Sequence, residues 1–311
     1  MDIPGSPRTL YDPIRFTLRN GGKRLRPQLV LLGCTMCGGE KESALPAAMA
    51  VELLHNFTLI HDDIMDSAET RRNQPSVVKK WDANTAILSG DVLFAHAAQQ
   101  LEYYGTDDRY TKEQYLEINK SFFDAVIKVC KGQAMDMEFE SKPMVDLDEY
   151  LDMIDAKTAA LFSCSLKLGA LAAQDSKEQV EFASELGYHA GIAFQIQDDL
   201  LDAIGEENII GKKIGGDILE GKKTWLTISA YSKGSDSQKQ ILTAILQKED
   251  TTRDDVDKII NLYRYLDVIS DAEKTINYHY KKAQSCLDKF DDSKYKNEIN
   301  NLLHQLMIRE S

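Results

Sequence analysis

The sequence predicts an all-α protein built as one bundle of long helices. Apolar residues recur at helical spacing over long stretches, and alternating β-branched runs are few. Glycine and proline, which interrupt helices, number only 18 and 7 among 311 residues. No linker rich in proline, glycine or serine divides the chain. We therefore expect a single domain spanning 1–311, because stacked long helices can share one core.

The helical segments follow one another along the chain. An apolar run at 44–66 predicts a buried helix that begins near Pro46, because proline fits the first helical turn. The other main predicted helices span 84–104, 112–140, 147–173, 176–204 and 224–232, with shorter ones to 309. Together these segments predict a helix content well above that of an average globular protein.

Three segments break the helical pattern. They are NGGKRLRP at 20–27, SAETRRNQPSVVKK at 67–80, and a stretch at 205–223 that holds five of the 18 glycines. All three are polar, basic and rich in turn-forming residues. In an acidic helical chain, such segments predict loops that bind an anionic ligand.

Charge and composition exclude several classes of protein. The chain has 37 basic and 50 acidic residues, a net charge of −13, which argues against a nucleic-acid-binding protein with a broad basic face. The apolar runs are short and broken by charge, so no membrane-spanning helix is expected, and residues 1–30 lack the pattern of a secretory signal. Five thinly spread cysteines are typical of a cytoplasmic protein. Cys34 and Cys37 form a lone CxxC, which favours buried thiols over zinc or redox chemistry.

The most specific local pattern is an aspartate-rich motif that occurs twice. DDIMD occupies 62–66 and DDLLD occupies 198–202, each at the C-terminal end of a long apolar segment. Within each motif the first and last aspartates lie one helical turn apart, where like charges repel unless cations compensate. Carboxylate oxygens suit Mg²⁺, which typically bridges one or two carboxylates to substrate phosphates. The repeat therefore predicts Mg²⁺-dependent diphosphate chemistry.

Two other interpretations of the acidic motifs are possible. They could be solvated helix ends in an acidic protein, although two copies after buried helices make this the weaker interpretation. His61 and Asp62 could also belong to an HD-type metal phosphohydrolase. That enzyme would need further histidine and aspartate ligands, and it would leave the second motif and the basic loops unexplained.

Basic residues concentrate in the same loops. Arg71 and Arg72 follow the first motif, and arginine offers a planar fork that matches phosphate. The loop at 20–27 carries Lys23, Arg24 and Arg26. The loop at 205–223 carries Lys212, Lys213, Lys222 and Lys223. One such cluster would be typical of a solvated surface. Three of them predict a diphosphate held between metal ions and basic side chains.

These motifs together resemble the short-chain trans-prenyl diphosphate synthases of the polyprenyl synthetase family. The matching strings are GGKRLRP (21–27), ELLHNFTLIHDDIMD (52–66), RR (71–72), GQAMD (132–136), AKTAALF (156–162), FQIQDDLLD (194–202) and GKKIGGDILEGKKT (211–224). They occur in the family's order and cover about residues 10–230. The resemblance implies a bundle of long helices around a deep central cavity, and a cytoplasmic homodimer without an integral membrane segment.

The implied reaction joins isopentenyl diphosphate to an allylic diphosphate (dimethylallyl, geranyl or farnesyl), head to tail. By resemblance, three Mg²⁺ ions bridge the allylic diphosphate to Asp62, Asp66 and Asp198. The supporting or water-mediated metal partners would be Asp63, Asp199 and Asp202. The allylic diphosphate would also contact Arg71, Lys157, Lys212 and Lys222. The isopentenyl diphosphate would contact Lys23, Arg26, His55 and Arg72. Thr158 and Gln195 match positions that stabilise the carbocation or place the substrate, and Gln133 and Asp136 match a QxxD motif.

Several of these positions have an alternative. Lys157 could be an ordinary surface lysine, and His55 could be a hydrogen-bonded core histidine. Many members of the family have glycine where this chain has Asn73, and histidine near Val78, so the geometry of that loop is open.

The product length is expected to depend on the residues before the first motif. In the family, bulk at the fifth and fourth positions before it limits the chain, and here these are Phe57 and Thr58. A single aromatic residue at the fifth position favours geranylgeranyl diphosphate, with farnesyl diphosphate as the alternative. On a helical wheel Phe57 lies about 140° from Asp62, so it could instead be core packing.

Two other functional classes are weighed against a prenyltransferase. A class I terpene cyclase or head-to-head condensing enzyme would not need the second diphosphate pocket that GGKRLRP and His55 suggest. A non-catalytic subunit would be expected to lack aspartates or cations from the motifs, and both sets are present.

Overall fold

The computed structural model describes residues 3–205, 214–248 and 250–307. The helices within these residues are α1 (Arg8–Arg19), α2 (Leu25–Met36), α3 (Lys41–Met65), α4 (Val77–Lys80), α5 (Ala83–Gln100), α6 (Tyr103–Thr106), α7 (Lys112–Ser141), α8 (Leu147–Ile154), α9 (Ala160–Ala172), α10 (Lys177–Ile204), α11 (Gly216–Leu219), α12 (Trp225–Lys233), α13 (Asp236–Leu246), α14 (Arg253–Tyr265), α15 (Val268–Leu287) and α16 (Lys294–Met307). The strands described there are one antiparallel pair, β1 (Thr70–Arg71) and β2 (Gln74–Pro75). The all-α prediction is confirmed.

The helices differ from the prediction in several places. The segment predicted as one helix at 84–104 is divided into α5 and α6. Helix α3 begins at Lys41, so Pro46 lies inside the helix rather than at its start. Proline so close to a helix N-terminus removes a single backbone hydrogen bond, and the preceding residues remain helical. Helix α2 begins at Leu25, which places Arg26 and Pro27 in its first turn instead of in a loop. The segment predicted as one helix at 147–173 is interrupted by a π-helical turn at Asp155–Ala159.

The chain forms two compact units, each described here by itself. The first contains residues 1–123 and 165–180, and the second contains residues 124–164 and 181–311. The single-domain interpretation and the central cavity stay predictions.

In the first unit, α3 is the central helix. It packs against α2 and α5, and α1 packs against α5. The interface with α5 is close at Gly90, where a Cβ atom would lie 2.3 Å from Nε2 of His61. This packing fixes the end of α3, where the first aspartate motif lies.

In the second unit, α8 runs directly into the π turn, and α12 packs against α8, α13, α14 and α15. Helix α8 begins with a capping box in which Asp146 and Glu149 bond each other's backbone N–H groups. Helix α12 begins after the N-cap residue Thr224. These two helix starts lie beside the second aspartate motif, as shown below.

One helix of the described residues, α3, is long and apolar enough by composition to cross a membrane, contrary to the expectation from the sequence. However, 56% of its most apolar 18-residue window is buried inside the protein, as is usual for a core helix. A single such helix is weak evidence for a membrane span.

The CxxC pair forms no disulfide, and Cys34 is buried and Cys37 half-buried. Burial raises the pKa of Cys34 to about 12, and burial together with a hydrogen bond to Asp175 raises the pKa of Cys37 further. These values favour the buried-thiol interpretation of this motif.

Candidate active site

The first aspartate motif lies at the C-terminal end of α3. Asp63 is buried, and its Oδ1 accepts hydrogen bonds from Nε (2.8 Å) and Nη2 (2.5 Å) of Arg71. Burial raises the pKa of Asp63, and the Arg71 guanidinium opposes this shift. Asp62 is half-buried and Asp66 is exposed. Because the C-terminal end of a helix dipole disfavours negative charge, three carboxylates here create a strong demand for cations.

Arg71 and Arg72 lie on a tight hairpin that the sequence did not predict. Thr70 pairs with Pro75 and Arg71 with Gln74, which leaves Arg72 and Asn73 as the two turn residues. Their φ angles are 54° and 59°. A two-residue turn of this kind requires the left-handed conformation at both positions, where glycine and asparagine are favoured. Asn73 is therefore suited to this turn, as a glycine would be.

Four predicted diphosphate ligands of the first unit lie close together. Nη1 of Arg26 lies 3.2 Å from Nε2 of His55. Burial, together with the positive charges of Arg26, Arg72 and Arg71, holds the pKa of His55 well below its usual value. His55 is therefore neutral, and its Nε2 accepts a hydrogen bond from Arg26, so that the proton lies on Nδ1.

The turn that carries Arg72 meets the glycine loop of residues 20–24. The Nη1 atom of Arg72 donates a hydrogen bond to the carbonyl oxygen of Gly21. A Cβ atom on Gly22, whose φ is +122°, would lie 2.7 Å from the Arg72 guanidinium. The backbone conformation of Gly22 favours glycine, and the absence of a side chain lets the Arg72 guanidinium approach the loop closely. Lys23 follows it and is exposed.

The two residues predicted to limit product length lie one turn before the motif. The ring of Phe57 packs against His61 at a centroid distance of 4.6 Å and against Phe94 of α5 at 5.5 Å. Oγ1 of Thr58 donates a hydrogen bond to the carbonyl oxygen of His55 at 2.9 Å. Phe57 is half-buried in this aromatic cluster.

The second aspartate motif lies in the last two turns of α10. Asp198 is exposed, Asp199 is buried and Asp202 is half-buried. Oδ2 of Asp202 accepts a hydrogen bond from the backbone N–H of Asp217 at 2.9 Å. The described part of the glycine-rich segment is thus held against the motif.

Within the described residues, Asp199 has three hydrogen-bond donors, and all three are neutral groups. Its Oδ2 accepts from the hydroxyl of Tyr150 (2.5 Å) and the backbone N–H of Trp225 (3.1 Å). Its Oδ1 accepts from Nε2 of Gln195 at 3.0 Å. Burial raises the pKa of Asp199, and the three hydrogen bonds oppose this shift.

Gln195 also links the motif to the π turn. Its Oε1 accepts a hydrogen bond from the hydroxyl of Thr158 at 2.8 Å. Thr158 and Lys157 both lie within the π turn, a feature that is common at functional sites. Nζ of Lys157 lies 2.5 Å from Oδ2 of Asp136 on α7. Lys157 is therefore half-buried and ion-paired rather than an ordinary surface residue.

Helix α7 approaches this turn at a glycine. A Cβ atom on Gly132 would lie 2.3 Å from the backbone nitrogen of Lys157. Gln133, the next residue, is buried, and its Oε1 has no hydrogen-bond partner among the described residues. The GQAMD string thus brings α7 against the backbone that carries Lys157 and Thr158.

A further carboxylate, Asp217, belongs to this group although the sequence analysis did not select it. Burial and the charges of Asp199 and Asp202 raise its pKa. Nζ of Lys222 lies 3.6 Å from Asp217 and 2.6 Å from Glu220. Burial alone would lower the pKa of Lys222, but these carboxylates raise it. Lys212, the other predicted lysine of this segment, lies outside the described residues.

The donor chemistry of both groups fits Mg²⁺. Within the described residues, no cluster of three or more histidine, cysteine or acidic side chains could enclose a metal ion. Mg²⁺ does not require such an enclosure, since it keeps several waters and binds one or two carboxylates together with substrate phosphates. Each motif offers such a pair of carboxylates one helical turn apart: Asp62 with Asp66, and Asp198 with Asp202.

Sequence reasoning missed Tyr150, the Trp225 amide, Asp217 and Gly132. Only Gly132 and Asp217 stand within strings already noted for their resemblance to the family. Tyr150 stands outside those strings, and backbone contacts such as that of Trp225 carry no residue signature.

The comparisons agree with this chemistry. The family model described as polyprenyl synthetase matches residues 7–263. A geranylgeranyl diphosphate synthase of Saccharolobus solfataricus is 42% identical over 259 residues, which cover 83% of this chain and 77% of that protein. A geranylfarnesyl diphosphate synthase of Aeropyrum pernix is 36% identical, with 94% of this chain and 92% of that protein covered.

Solved structures are similar over nearly the full length. The crystal structure of geranylgeranyl pyrophosphate synthetase from Pyrococcus horikoshii Ot3 matches with a TM-score of 0.93 and 37% identity, and it covers 99% of this chain and 93% of that one. The family model alone spans well over half of the sequence. With its two acidic motifs, its basic hairpin and its π turn, this chain belongs to the polyprenyl synthetase family.

Proposed function

We propose that this protein is a Mg²⁺-dependent trans-prenyltransferase that joins isopentenyl diphosphate head to tail to allylic diphosphates. The observation that carries the proposal is the pair of helix ends, in α3 and α10, that each bear three aspartates beside basic side chains. Bound Mg²⁺, three ions per active site, would neutralise the charge that develops on the departing diphosphate.

In the first unit, Asp62 and Asp66 are the proposed metal ligands. Asp63 is already balanced by Arg71, so its role is to hold that guanidinium at the motif. Arg71 then presents a fixed positive charge to the allylic diphosphate.

In the second unit, Asp198 is the proposed metal ligand, with Asp202 and Asp199 as supporting groups. Lys157 and Lys222 would bind the allylic diphosphate, together with Lys212. In this structure Lys157 is ion-paired to Asp136, and Lys222 is ion-paired to Asp217 and Glu220. A diphosphate would take over these ammonium groups or share them.

A second diphosphate site distinguishes a prenyltransferase from a terpene cyclase. The proposed site for isopentenyl diphosphate consists of Arg26, Arg72 and neutral His55. Lys23 is nearby in the sequence and is proposed to contribute to it. The positive charges of Arg26, Arg72 and Arg71 act on the neutral imidazole of His55, and a bound diphosphate would compensate them. A terpene cyclase, which takes one diphosphate, would not need this cluster.

The chemical step requires the exclusion of water. Loss of diphosphate leaves an allylic carbocation, and water would convert it to an alcohol. The oxygens of Thr158 and Gln195 are proposed to stabilise the cation while the double bond of isopentenyl diphosphate attacks it. The departing diphosphate then accepts the released proton, so no strong protein base is required.

The proposed product is geranylgeranyl diphosphate, made in the cytoplasm by a homodimer. Relatives with this product in their names support it, although the Aeropyrum pernix relative is named for the next longer product. The dimer would form through α5, where Ile87 and Leu88 are 42% and 59% exposed.

The test is a prenyl elongation assay. Purified protein is incubated with Mg²⁺, labelled isopentenyl diphosphate and each allylic primer, and the products are separated by chromatography. Elongated product that disappears with EDTA is expected. Absence of elongation with every primer would overturn the proposal.

Aspartate variants sharpen this assay. Asp62→Ala and Asp198→Ala should each lower turnover by orders of magnitude without unfolding the helices, because charge stabilisation of the leaving group is worth several kcal/mol. Asp108→Ala, an exposed aspartate outside both motifs, is the control. Near-normal turnover of either motif variant at saturating Mg²⁺ would contradict the metal assignment.

A further inference from the structure

Tyr150 is a buried residue that belongs to none of the motifs selected from the sequence. It is 2% exposed, and its hydroxyl lies 2.5 Å from Oδ2 of Asp199, which is 6% exposed. We propose that Tyr150 is a positioning residue that fixes the Asp199 carboxylate and thereby orients Gln195 and Thr158 for the reaction. This inference rests on the proposed function.

The direction of each hydrogen bond follows from the groups involved. An ionised carboxylate only accepts, so the hydroxyl of Tyr150 and Nε2 of Gln195 both donate to Asp199. With its nitrogen committed to Asp199, the amide of Gln195 must turn its oxygen to Thr158, whose hydroxyl donates to it. The protons therefore run in one direction, from Thr158 through Gln195 to Asp199.

This direction leaves free lone pairs on Oε1 of Gln195 and Oγ1 of Thr158, the two oxygen atoms proposed to meet the carbocation. Gln195 Oε1 keeps a second lone pair, and the hydroxyl of Thr158 keeps both of its own. If the amide of Gln195 were reversed, its N–H₂ would face Thr158 and the positive end of its dipole would destabilise a cation. Asp199 selects the useful orientation, because it accepts from Nε2 and cannot donate to Oε1.

Tyr150 and Trp225 hold the other oxygen of Asp199 in place. Trp225 is the first residue of α12, so its N–H carries the positive end of a helix dipole to the carboxylate. Tyr150 lies on α8, which runs directly into the π turn of Thr158. Helix α8 therefore reaches both ends of the hydrogen-bonded chain. It leads into the turn of Thr158 at one end, and its Tyr150 contacts Asp199 of α10 at the other.

The test is Tyr150→Phe, which keeps the ring and removes the hydroxyl. We expect kcat to fall by about 10–100-fold, as for other groups that orient a ligand-binding residue, with little change in the KM for isopentenyl diphosphate. More of the primer should also be released as alcohol, because a poorly stabilised cation is captured by water with loss of a proton.

Tyr104→Phe is the matched control. Tyr104, on α6 in the first unit, is also fully buried, and its hydroxyl donates a hydrogen bond to the carbonyl oxygen of Ser43 at 2.8 Å, outside the proposed chain. Both variants should lose thermal stability, but Tyr104→Phe should keep kcat within about twofold, since it disturbs no active-site group. Equal kinetic effects in the two variants would reduce Tyr150 to a structural role and overturn the proposal.

A double variant tests whether the residues act as one chain. Thr158→Val alone should also lower kcat, and its combination with Tyr150→Phe should be less than additive. Additive effects would overturn the inference. If Tyr150→Phe failed to fold, Thr158→Val alone would be the test, and wild-type kinetics in that variant would overturn the inference. A wild-type enzyme that elongates no primer would contradict the proposed function itself, whereas elongation unaffected by Tyr150→Phe would contradict only this inference.

Discussion

At the scale of single residues, the two aspartate motifs differ in how their buried middle carboxylate is balanced. Asp63 has the guanidinium of Arg71, a full positive charge, whereas the donors to Asp199 among the described residues are neutral. The first arrangement fixes a cation at the motif, and the second fixes the position of the carboxylate without a paired cation. Two motifs with nearly the same sequence therefore have different surroundings.

Sequence reasoning selected the aspartates because they stand in short local patterns. Arg71 was found for the same reason, since it lies eight positions from Asp63. Of the partners of Asp199, Gln195 was selected, but Trp225 and Tyr150 were not, because they are 26 and 49 positions away and only tertiary packing joins them to Asp199. Burial of a charge is likewise a property of the folded chain.

Replacement of Phe57 tests its role in product length. If the ring closes the cavity for the growing chain, Phe57→Ala should shift the products toward longer prenyl diphosphates, measured by chromatography after dephosphorylation. Phe182→Ala, a half-buried phenylalanine of the second unit, is the control. An unchanged product spectrum in a folded, active Phe57 variant would show that the ring only packs against His61 and Phe94.

A histidine pair predicts how stability depends on pH. Nδ1 of His189 lies 3.0 Å from Nδ1 of His279, and burial together with His189 lowers the pKa of His279 from 6.5 to about 4. Burial and Lys282 lower the pKa of His189, while Glu185 opposes this shift. Between pH 6.5 and 4 the unfolded chain therefore binds protons that the folded chain excludes, so the free energy of unfolding falls as the pH falls.

The measurement is the thermal midpoint at several pH values between 7.5 and 4.5, for wild type and for His279→Gln. The variant should show a shallower decrease, because its amide does not titrate. His304→Gln, an exposed histidine on α16, should follow the wild-type curve. A His279 variant whose curve runs parallel to wild type would contradict this assignment.

At the scale of elements, periodicity predicts where helices exist but not how they are interrupted. The long helices at 112–140 and 176–204 are found within one residue of their predicted ends, as Lys112–Ser141 and Lys177–Ile204. The π turn was missed because one additional residue in a helical turn leaves no periodic signal over so short a stretch. The hairpin was missed because its strands contain only two residues each.

Helix α7 provides the test of the π turn. In Gly132→Ala, the new methyl group would meet backbone atoms of Lys157 and Ala156 at 2.3–2.7 Å, and these atoms cannot rotate away. The free energy of unfolding should fall by about 1–3 kcal/mol or more, as for other overpacked sites. Catalytic activity of the folded fraction should also fall, since Lys157 and Thr158 would be displaced.

Lys131→Ala, an exposed neighbour on the same helix, should change stability by no more than about 0.5 kcal/mol. Chemical denaturation measures both variants. If Gly132→Ala were as stable as Lys131→Ala, the close approach of α7 to the turn would not hold in solution.

At the scale of the whole molecule, the exposed apolar side chains of α5 predict self-association. One face of α5 packs against α3, yet Ile87 and Leu88 remain largely exposed on the same helix. Contiguous exposed apolar surface is typical of an interaction site in a folded protein. In the sequence, apolar positions nearly encircle the segment ILSGDVLFAHAAQQ at 87–100, but only the structure shows which of them are uncovered.

The dimer prediction is tested by Leu88→Glu. Sedimentation of the wild type at micromolar concentration should show a species with twice the 35.0 kDa mass of the chain. A glutamate at an interface centre would be an unpaired buried charge, so Leu88→Glu should shift the equilibrium to monomer. Leu45→Glu is a matched control, because Leu45 is 47% exposed on α3 and lies outside the proposed interface. A wild type that sediments as a monomer would exclude the dimer. Equal dissociation of the two variants would place the contact outside the exposed face of α5.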